Sequence, residues 1–261
     1  MERYGLIGHP LGHSFSQRYF TEKFQQEGLD CHYSNFDIEE IESFPLLLEK
    51  NPDIKGLNVT IPYKEKILSY LEGVDAIVDE IKSTNTLLRI PDGRIVGFNT
   101  DVIGFEATLL RCYEHHDPPS SALILGSGGA SKAIQYVLRH KGIPYQIVSR
   151  DPQKGDLTYH DLNPVVLQQY PLIVNTTPVG TFPKTEEAPG LPYEAIGPSH
   201  CLIDLVYNPE ETLFLKKGKE NGALAINGLT MLHAQAEAAW KLWRTPFEKL
   251  KHYILFKDSA R

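Results

Sequence analysis

The sequence predicts an α/β fold, and three observations support it. Short strand-like runs alternate with helix-like patterns along most of the 261 residues, as in α/β proteins. Ala122–Leu125 is a continuous apolar run, which is typical of a parallel strand buried on both faces. A glycine-rich turn follows this run directly and precedes a helical pattern. The length is sufficient for one large domain or two modest ones, each with its own core.

The first strand and the first helix are predicted from periodicity and capping. Tyr4–Gly8 is a strand-like run, and Ser14 is the expected N-cap of a helix that ends near Gly28. The apolar face of this helix recurs at helical spacing and consists of Phe15, Tyr19, Phe20 and Phe24.

The next strands are predicted from short apolar runs bounded by turn residues. They are expected at Cys31–Phe36, Ile54–Val59, 84–90 and 94–99. The turn Pro91-Asp92-Gly93 joins the last two runs and predicts a β-hairpin.

Two helix starts are predicted in the same half of the chain. Thr60 is a candidate N-cap and Pro62 fits the first helical turn, so that Lys64 would lie near a helix N-terminus. Asp101 is likewise a candidate cap for a helix over Val102–Arg111.

The second half begins after the polar, proline-rich stretch 115–121. A helix is expected from about Ala130 to Lys141, where Gly142 is placed to end it. The tail from Leu229 to about Phe256 is helical in pattern. Short strands are expected at Ile147–Val148, Leu172–Val174, Leu202–Leu205 and Ala223–Ile226.

Composition and charge narrow the class of protein. Subtracting 33 acidic from 26 basic residues gives a net charge of −7, which disfavours partners such as nucleic acid or an anionic membrane surface. The three cysteines lie far apart and form no disulfide framework, which fits a reducing cytoplasm. No leader pattern and no membrane-length apolar run is present, so a cytoplasmic protein is expected.

The glycine-rich turn predicts a dinucleotide site. Glycines permit a tight turn, and the unpaired N–H groups of the following helix favour a bound pyrophosphate. The structural alternative is a tight strand-to-helix turn that binds nothing. The residues of the turn are Gly126, Ser127, Gly128, Gly129 and Ala130.

The end of the next strand indicates which dinucleotide binds. A carboxylate there would bind a ribose 2′-hydroxyl, whereas an arginine would pair with a 2′-phosphate. The chain has Ser149-Arg150-Asp151 at this point. Arg150 favours NADP, and Asp151, which could repel the phosphate or face solvent, leaves NAD open.

Several motifs together resemble the shikimate dehydrogenase family, over essentially the whole chain and in the same order. Taken singly, Ser14, Lys64, Asn85 and Asp101 also fit roles as caps or surface residues. The remaining motifs, besides the glycine turn at 126–130, are G-H-P-L-G-H-S-F-S at 8–16, N-V-T-I-P-Y-K at 58–64, S-T-N-T at 83–86, G-F-N-T-D at 97–101, N-T-T-P-V-G at 175–180, D-L-V-Y-N-P at 204–209 and N-G-L-T-M-L-H-A-Q at 227–235.

The resemblance implies a role for each matching residue. Lys64 would be the general acid/base and Asp101 its partner, with the exchange of these two roles as the second mechanism. Residues that would bind the substrate are Ser14, Ser16, Thr60, Asn85, Tyr207 and Gln235. Residues that would bind the cofactor are Gly126, Ser127, Gly128, Gly129, Ala130, Ser149, Arg150, Leu205 and Gly228. No metal is implied.

The resemblance also implies the reaction and the domains. The reaction would be the reversible reduction of 3-dehydroshikimate by NADPH, with a protonated lysine stabilising the developing alkoxide. Residues 1–102 would form a substrate-binding catalytic domain and 103–237 a Rossmann-like NADP-binding domain. Residues 238–261 would be a helical segment that packs on the first domain. A cleft between the domains would hold the small-molecule substrate, in a monomer or homodimer.

Three alternatives remain open at this point. The nearest is a quinate/shikimate dehydrogenase that accepts NAD. A second is a non-catalytic sensor of the same fold, which the presence of both Lys64 and Asp101 disfavours. A third is a one-carbon dehydrogenase of related architecture, in which Ser14, Asn85 and Gln235 would have no role.

Overall fold

The structure is a computed structural model that describes residues 1–12, 15–114 and 117–257. The chain divides into two compact units, one formed by Met1–Thr100 with Ala236–Arg261 and the other by Asp101–Gln235. The predicted domain limits differ from these by two residues at each boundary. Each unit contains one sheet with flanking helices, which confirms the predicted α/β fold.

The elements of the described residues are numbered along the chain. The strands are β1 (Glu2–Gly8), β2 (Cys31–Asp37), β3 (Ile54–Val59), β4 (Gly73–Asp75), β5 (Thr86–Arg89), β6 (Ile95–Phe98), β7 (Ala122–Leu125), β8 (Tyr145–Val148), β9 (Leu172–Asn175), β10 (Cys201–Asp204), β11 (Leu224–Ile226) and β12 (Ile254–Phe256). The α-helices are α1 (Phe15–Gln26), α2 (Phe44–Lys50), α3 (Ala76–Ile81), α4 (Asp101–Tyr113), α5 (Gly129–His140), α6 (Pro164–Leu167), α7 (Leu213–Glu220), α8 (Leu229–Arg244) and α9 (Phe247–Leu250).

The first unit is built on a mixed seven-stranded sheet of order β12-β4-β6-β5-β3-β1-β2. Strand β1 is parallel to both of its neighbours, and β5 is antiparallel to β3 and β6. Side chains alternate between the two faces of β1, so Tyr4 and Leu6 enter one core and Ile7 enters the other. Both faces of this sheet are therefore covered.

Helix α8 ends against the sheet of the first unit. The Trp243 ring stacks on Tyr4 with 4.9 Å between centroids, and its Nε1 donates to the Leu87 carbonyl at 2.9 Å. Gly56 lies directly beneath the indole, where a Cβ would be 2.2 Å from Trp243 Nε1. Only glycine allows this close approach of strand and helix.

The second unit is built on a parallel five-stranded sheet of order β11-β10-β9-β7-β8. The chain leaves β7 for β8 on one side and returns to β9 on the other. The topological switch point therefore lies between β7 and β9, where ligands of doubly wound sheets bind beyond the carboxyl ends of the strands. This sheet fits the Rossmann-like domain that the resemblance implied.

The predicted hairpin is confirmed, with Gly93 at φ 91° and its N–H bonded to the Ile90 carbonyl at 2.9 Å. The predicted tail helix ends at Arg244. A short helix and a 3-10 turn follow, and β12 then pairs antiparallel with β4. The expectation of a tail that is helical throughout is therefore wrong. Ser14, the expected cap of α1, lies outside the described residues.

The predicted helix start at Thr60 is also wrong. Residues 61–65 form turns, and a 3-10 helix begins only at Lys66. The Lys64 carbonyl accepts the Thr84 N–H at 2.8 Å. This bond from another segment occupies the carbonyl that a helix would pair with the N–H four residues later. The sequence around Thr60 could not show this bond, because its donor, Thr84, is distant in the chain.

Candidate active site

Lys64 lies in a turn that follows β3 in the first unit. The turn is closed by the Tyr63 N–H on the Thr60 carbonyl at 2.9 Å. The Tyr63 hydroxyl donates to the Ile38 carbonyl at 2.6 Å, and Thr84 holds the Lys64 carbonyl. Lys64 itself is half-buried. Two hydrogen bonds of Tyr63 and one at the Lys64 carbonyl thus anchor the turn, which limits the positions that the Lys64 ammonium group can reach.

Asn85 is a buried polar residue at the start of β5, only 3% exposed. Its Oδ1 accepts from Thr100 N at 2.7 Å and from Thr86 Oγ1 at 3.0 Å, while its Nδ2 donates to Thr100 Oγ1 at 3.0 Å. The alternative of a strand residue that faces water is therefore wrong. Thr100 directly precedes Asp101 in the chain, so this network fixes the end of the segment that leads to Asp101.

Two of the other predicted substrate residues of the first unit are described. Thr60 is half-buried, and its N–H donates to the Ile7 carbonyl at 2.9 Å. Ser16 is half-buried in the first turn of α1, where its side chain interacts with Tyr33. The structure therefore places Ser16, Thr60, Lys64 and Asn85 in one unit.

The remaining predicted substrate and catalytic residues belong to the second unit. Asp101 is the first residue of α4 and is buried. Gln235 is also buried, and its Nε2 donates to the Leu232 carbonyl at 2.9 Å. Tyr207 is half-buried beyond the end of β10. The pairing of Lys64 with Asp101 remains a prediction.

The glycine turn joins β7 to α5 as predicted. Gly126 has φ 105°, and a Cβ there would lie 2.8 Å from Thr176 Oγ1 in the loop after β9. Gly128 is the N-cap residue of α5, and a Cβ there would meet no atom within 4 Å. Helix α5 has no acidic residue in its first turn. The residues present thus fit a dinucleotide, because a helix N-terminus with open space at Gly128 and no acidic residue in its first turn favours a pyrophosphate.

The segment after β8 places Ser149, Arg150 and Asp151 beside this turn. Ser149 Oγ lies 3.3 Å from Ser127 Oγ and accepts the Asp151 N–H at 3.2 Å. Arg150 is exposed. The Asp151 carboxylate accepts the Gln153 N–H at 3.0 Å and lies 3.7 Å from Lys154 Nζ. The carboxylate is thus engaged by its own loop.

Asp204, which the sequence analysis passed over, connects three segments of the second unit. It is 0% exposed and accepts from Asn175 Nδ2 at 2.9 Å, Val206 N at 3.0 Å and Thr212 Oγ1 at 2.6 Å. Burial raises the pKa of Asp204 to about 6, and these three donors oppose the rise. The matching motifs N-T-T and D-L-V-Y at the ends of β9 and β10 were the available signal.

The segment that follows Asp204 contains the predicted cofactor residue Leu205 and is contacted by a second one, Gly228. Leu205 N donates to the Asn175 carbonyl at 3.0 Å, and Gly228 N donates to the Val206 carbonyl at 3.1 Å. A Cβ on Gly228 would lie 2.3 Å from the Leu205 carbonyl oxygen, so the backbones meet there without room for a side chain.

The described part of the chain contains no group of three or more His, Cys, Asp or Glu arranged to hold a metal ion. Among the same residues, no helix has the length and apolar character required to cross a membrane.

A parallel sheet with a glycine turn and a helix N-terminus at its switch point is typical of dinucleotide-dependent dehydrogenases. A profile of the shikimate dehydrogenase substrate-binding domain matches residues 6–87. Two curated relatives named shikimate dehydrogenase (NADP(+)) are each 34% identical. The protein from Methanosphaera stadtmanae matches over 95% of this chain and 96% of its own length, and that from Halothermothrix orenii over 92% and 89%.

Solved structures of shikimate dehydrogenases are also similar to this chain over nearly its whole length. Shikimate 5-dehydrogenase from Thermus thermophilus, in complex with NADP(H) and shikimate, has a TM-score of 0.83 and 32% identity, covering 94% of both chains. Shikimate dehydrogenase from Aquifex aeolicus has a TM-score of 0.82 and 33% identity, covering 97% of both chains. The chain belongs to the shikimate dehydrogenase family.

Proposed function

We propose that this chain catalyses the reversible NADPH-dependent reduction of 3-dehydroshikimate to shikimate. The observation that carries the proposal is the match to near-full-length relatives that are named NADP(+)-dependent shikimate dehydrogenases. The glycine turn after β7 and the turn that contains Lys64 support it. NADPH supplies the hydride when it is bound. The chain itself must orient the ketone, stabilise the developing alkoxide and move one proton.

Lys64 is the proposed general acid/base. A protonated lysine stabilises negative charge on the carbonyl oxygen during reduction and then donates its proton, and in the reverse direction the amine accepts it. The backbone bonds from Thr60 and Thr84 hold this residue's turn in place. Asp101 is the proposed partner, since a nearby carboxylate favours the charged ammonium.

The substrate is held by polar groups in this proposal. Hydroxyls of Ser14 and Ser16 suit its carboxylate, and Thr60, Asn85, Tyr207 and Gln235 suit its ring hydroxyls. A site of such groups disfavours analogues that lack a hydroxyl, because its own donors and acceptors would lose their partners. The buried network around Asn85 supports this role, because it fixes the amide in one orientation.

The cofactor is held by the glycine turn, by Leu205 and Gly228, and by Ser149 and Arg150. Arg150 is the proposed partner of the 2′-phosphate of NADPH. From charge and composition we also propose that the enzyme is cytoplasmic and binds neither nucleic acid nor membranes. From the resemblance we propose that it acts as a monomer or homodimer.

The test is replacement of the lysine. Lys64→Ala should lower kcat with NADPH and 3-dehydroshikimate by about 10²-fold or more, because the proton donor is lost, while KM changes much less. The loss of NADPH absorbance as the cofactor is oxidised reports the rate. Lys66→Ala is the matched control, since Lys66 is an exposed lysine two residues further on.

Full activity of Lys64→Ala would show that another residue moves the proton. If the unaltered protein binds shikimate tightly but oxidises no NADPH, it is a ligand sensor and the proposed activity is wrong. A higher kcat/KM with NADH and quinate than with NADPH and 3-dehydroshikimate would instead identify the NAD-linked alternative.

A further inference from the structure

Tyr33 is a buried tyrosine of β2 that no proposed role accounts for. It is 1% exposed, and its hydroxyl donates to Asn58 Oδ1 at 2.8 Å. The Ser16 side chain acts on the same phenol and lowers its pKa, as a hydrogen-bond donor beside the hydroxyl would. Burial raises the pKa of Tyr33 because it disfavours the phenolate, so the hydroxyl stays neutral and keeps its proton.

The packing of α1 independently places Ser16 over this phenol. The Phe20 ring stacks on the Tyr33 ring with 4.7 Å between centroids and 14° between planes. Ser16 precedes Phe20 by four residues, so both side chains lie on the same face of α1. The face of α1 that contacts Tyr33 therefore carries Ser16 one turn closer to the N-terminus.

On its other side the phenol is connected to Asn85. Asn58 is buried on β3, and its Nδ2 lies 3.4 Å from both the Asn85 carbonyl and Thr86 Oγ1. Thr86 Oγ1 in turn donates to Asn85 Oδ1. Hydrogen bonds thus lead from Tyr33 through Asn58 to Asn85, and Ser16 lies one helical turn before the Phe20 ring that stacks on Tyr33.

The direction of the Tyr33–Asn58 hydrogen bond leaves the Tyr33 oxygen able to accept a second hydrogen bond. Tyr33 gives its only proton to Asn58, so its oxygen is an acceptor on the side of Ser16. A Ser16 hydroxyl that donates to this oxygen would turn to a substrate carboxylate, because a carboxylate is the stronger acceptor. Tyr33 keeps its bond to Asn58 when the Ser16 proton turns to the carboxylate, so no buried donor loses its partner.

We propose that Tyr33 is a positioning residue. It orients the Ser16 hydroxyl toward the substrate carboxylate and keeps that hydroxyl at a fixed position relative to Asn85. This inference rests on the proposed function, in which Ser16 binds that carboxylate. Tyr33 does not touch the substrate in this role. Its loss should therefore weaken substrate binding more than it slows proton or hydride movement.

The test is Tyr33→Phe, with Tyr4→Phe as the matched control. Tyr4 is the direct neighbour of Tyr33 across β1 and β2 and is equally buried, but its hydroxyl binds Glu2 at 3.1 Å. Tyr33→Phe should raise KM for 3-dehydroshikimate roughly 10-fold, as expected for one lost polar contact at the site, with kcat changed less and the Kd of NADPH unchanged. Tyr4→Phe should leave all three constants near those of the unaltered protein.

Ser16→Ala and the double variant Ser16→Ala/Tyr33→Phe complete the test. If Tyr33 acts through Ser16, the double variant has the same KM as Ser16→Ala, because the serine is already gone. Multiplicative effects, or a Tyr33→Phe that behaves like Tyr4→Phe, would overturn the role of Tyr33. An unchanged KM in Ser16→Ala would instead refute the proposed function of Ser16. Thermal unfolding of Tyr33→Phe and Tyr4→Phe at similar midpoints excludes a general loss of structure.

Discussion

At the scale of single residues, Asp151 shows how a local turn decides what a charge can do. The sequence places an acid beside Arg150, where it could oppose a 2′-phosphate. In the structure its carboxylate binds Gln153 N and lies near Lys154, so part of its charge is neutralised within the loop. The side chain would nevertheless compete with a bound 2′-phosphate for Lys154, since an exposed ion pair is weak and easily exchanged.

Replacement of this acid should sharpen the preference for NADPH. Asp151→Ser keeps an oxygen that can accept the Gln153 N–H and removes the negative charge. The ratio of kcat/KM for NADPH to that for NADH should rise roughly 2- to 5-fold, the effect of one exposed charge. Steady-state rates with both cofactors measure it.

Arg150→Ala is the companion variant for the cofactor, and it should lower the same ratio. A ratio that Asp151→Ser leaves unchanged would mean that the carboxylate does not influence the phosphate. A ratio that falls would mean that the serine disturbs the loop.

At the scale of elements, α8 illustrates packing that depends on one glycine. The helix begins in the second unit and ends in the first, where Trp243 lies over Gly56 and bonds the Leu87 carbonyl. Gly56 is in the middle of β3, a position where glycine weakens a strand by itself. The close approach of the indole explains why it is there.

Gly56→Ala should therefore destabilise the first unit. The added methyl group would meet Trp243 Nε1 at 2.2 Å, so the indole must move and lose its hydrogen bond. Overpacking and the lost bond together should cost about 2–4 kcal/mol of unfolding free energy. Urea denaturation followed by tryptophan fluorescence measures this loss.

Gly190→Ala is the control for the added methyl group, because a Cβ at Gly190 would meet no atom within 4 Å. It should change the unfolding free energy by less than about 0.5 kcal/mol. Equal stability of the two variants would contradict the described packing of Trp243.

At the scale of the whole molecule, each unit contains a carboxyl whose pKa is raised by burial: the half-buried Asp75 in the first unit and the fully buried Asp204 in the second. Asp75 caps α3 by accepting Val78 N at 2.7 Å, and burial raises its pKa from 3.8 to about 6. Burial raises the pKa of Asp204 in the second unit from 3.8 to about 6 as well. In both groups burial penalises the carboxylate more than the hydrogen bonds favour it.

These two groups should make stability fall as the pH rises from about 4 to about 6. In this window the folded chain binds more protons than the unfolded chain, so the free energy of unfolding decreases with pH. The contribution is fully present below about pH 4 and is lost above about pH 6. Each group contributes up to about 3 kcal/mol, since one pKa unit corresponds to about 1.4 kcal/mol.

Asp75→Asn and Asp204→Asn remove the titration and keep an acceptor oxygen. Each variant should be less stable than the unaltered protein, or equal to it, at pH 4 and gain relative stability by pH 7, in urea unfolding at pH 4, 5, 6 and 7. The other carboxyls titrate alike in both proteins and cancel. A constant difference across this range would show that neither carboxyl has a raised pKa.

The sequence alone determined the features that depend on neighbours in the chain. The hairpin at Pro91-Asp92-Gly93, strands β3 and β7 and the glycine turn were predicted because local turn preferences and apolar runs specify them. The resemblance also named every candidate site residue of the proposal, because the matching motifs are short and keep their order. The roles assigned to those residues await the experiments above.

The tertiary structure decided whatever depends on a partner distant in the chain. Strand β12 forms because it pairs with the edge strand β4. The turn at Lys64 is not helical because the Lys64 carbonyl accepts a hydrogen bond from the Thr84 N–H. The links of Tyr33 to Asn58 and of Asp204 to Asn175 and Thr212 likewise join separate segments. Hydrogen bonds between distant segments leave no periodicity in the sequence, since the sheet that brings them together forms only on folding.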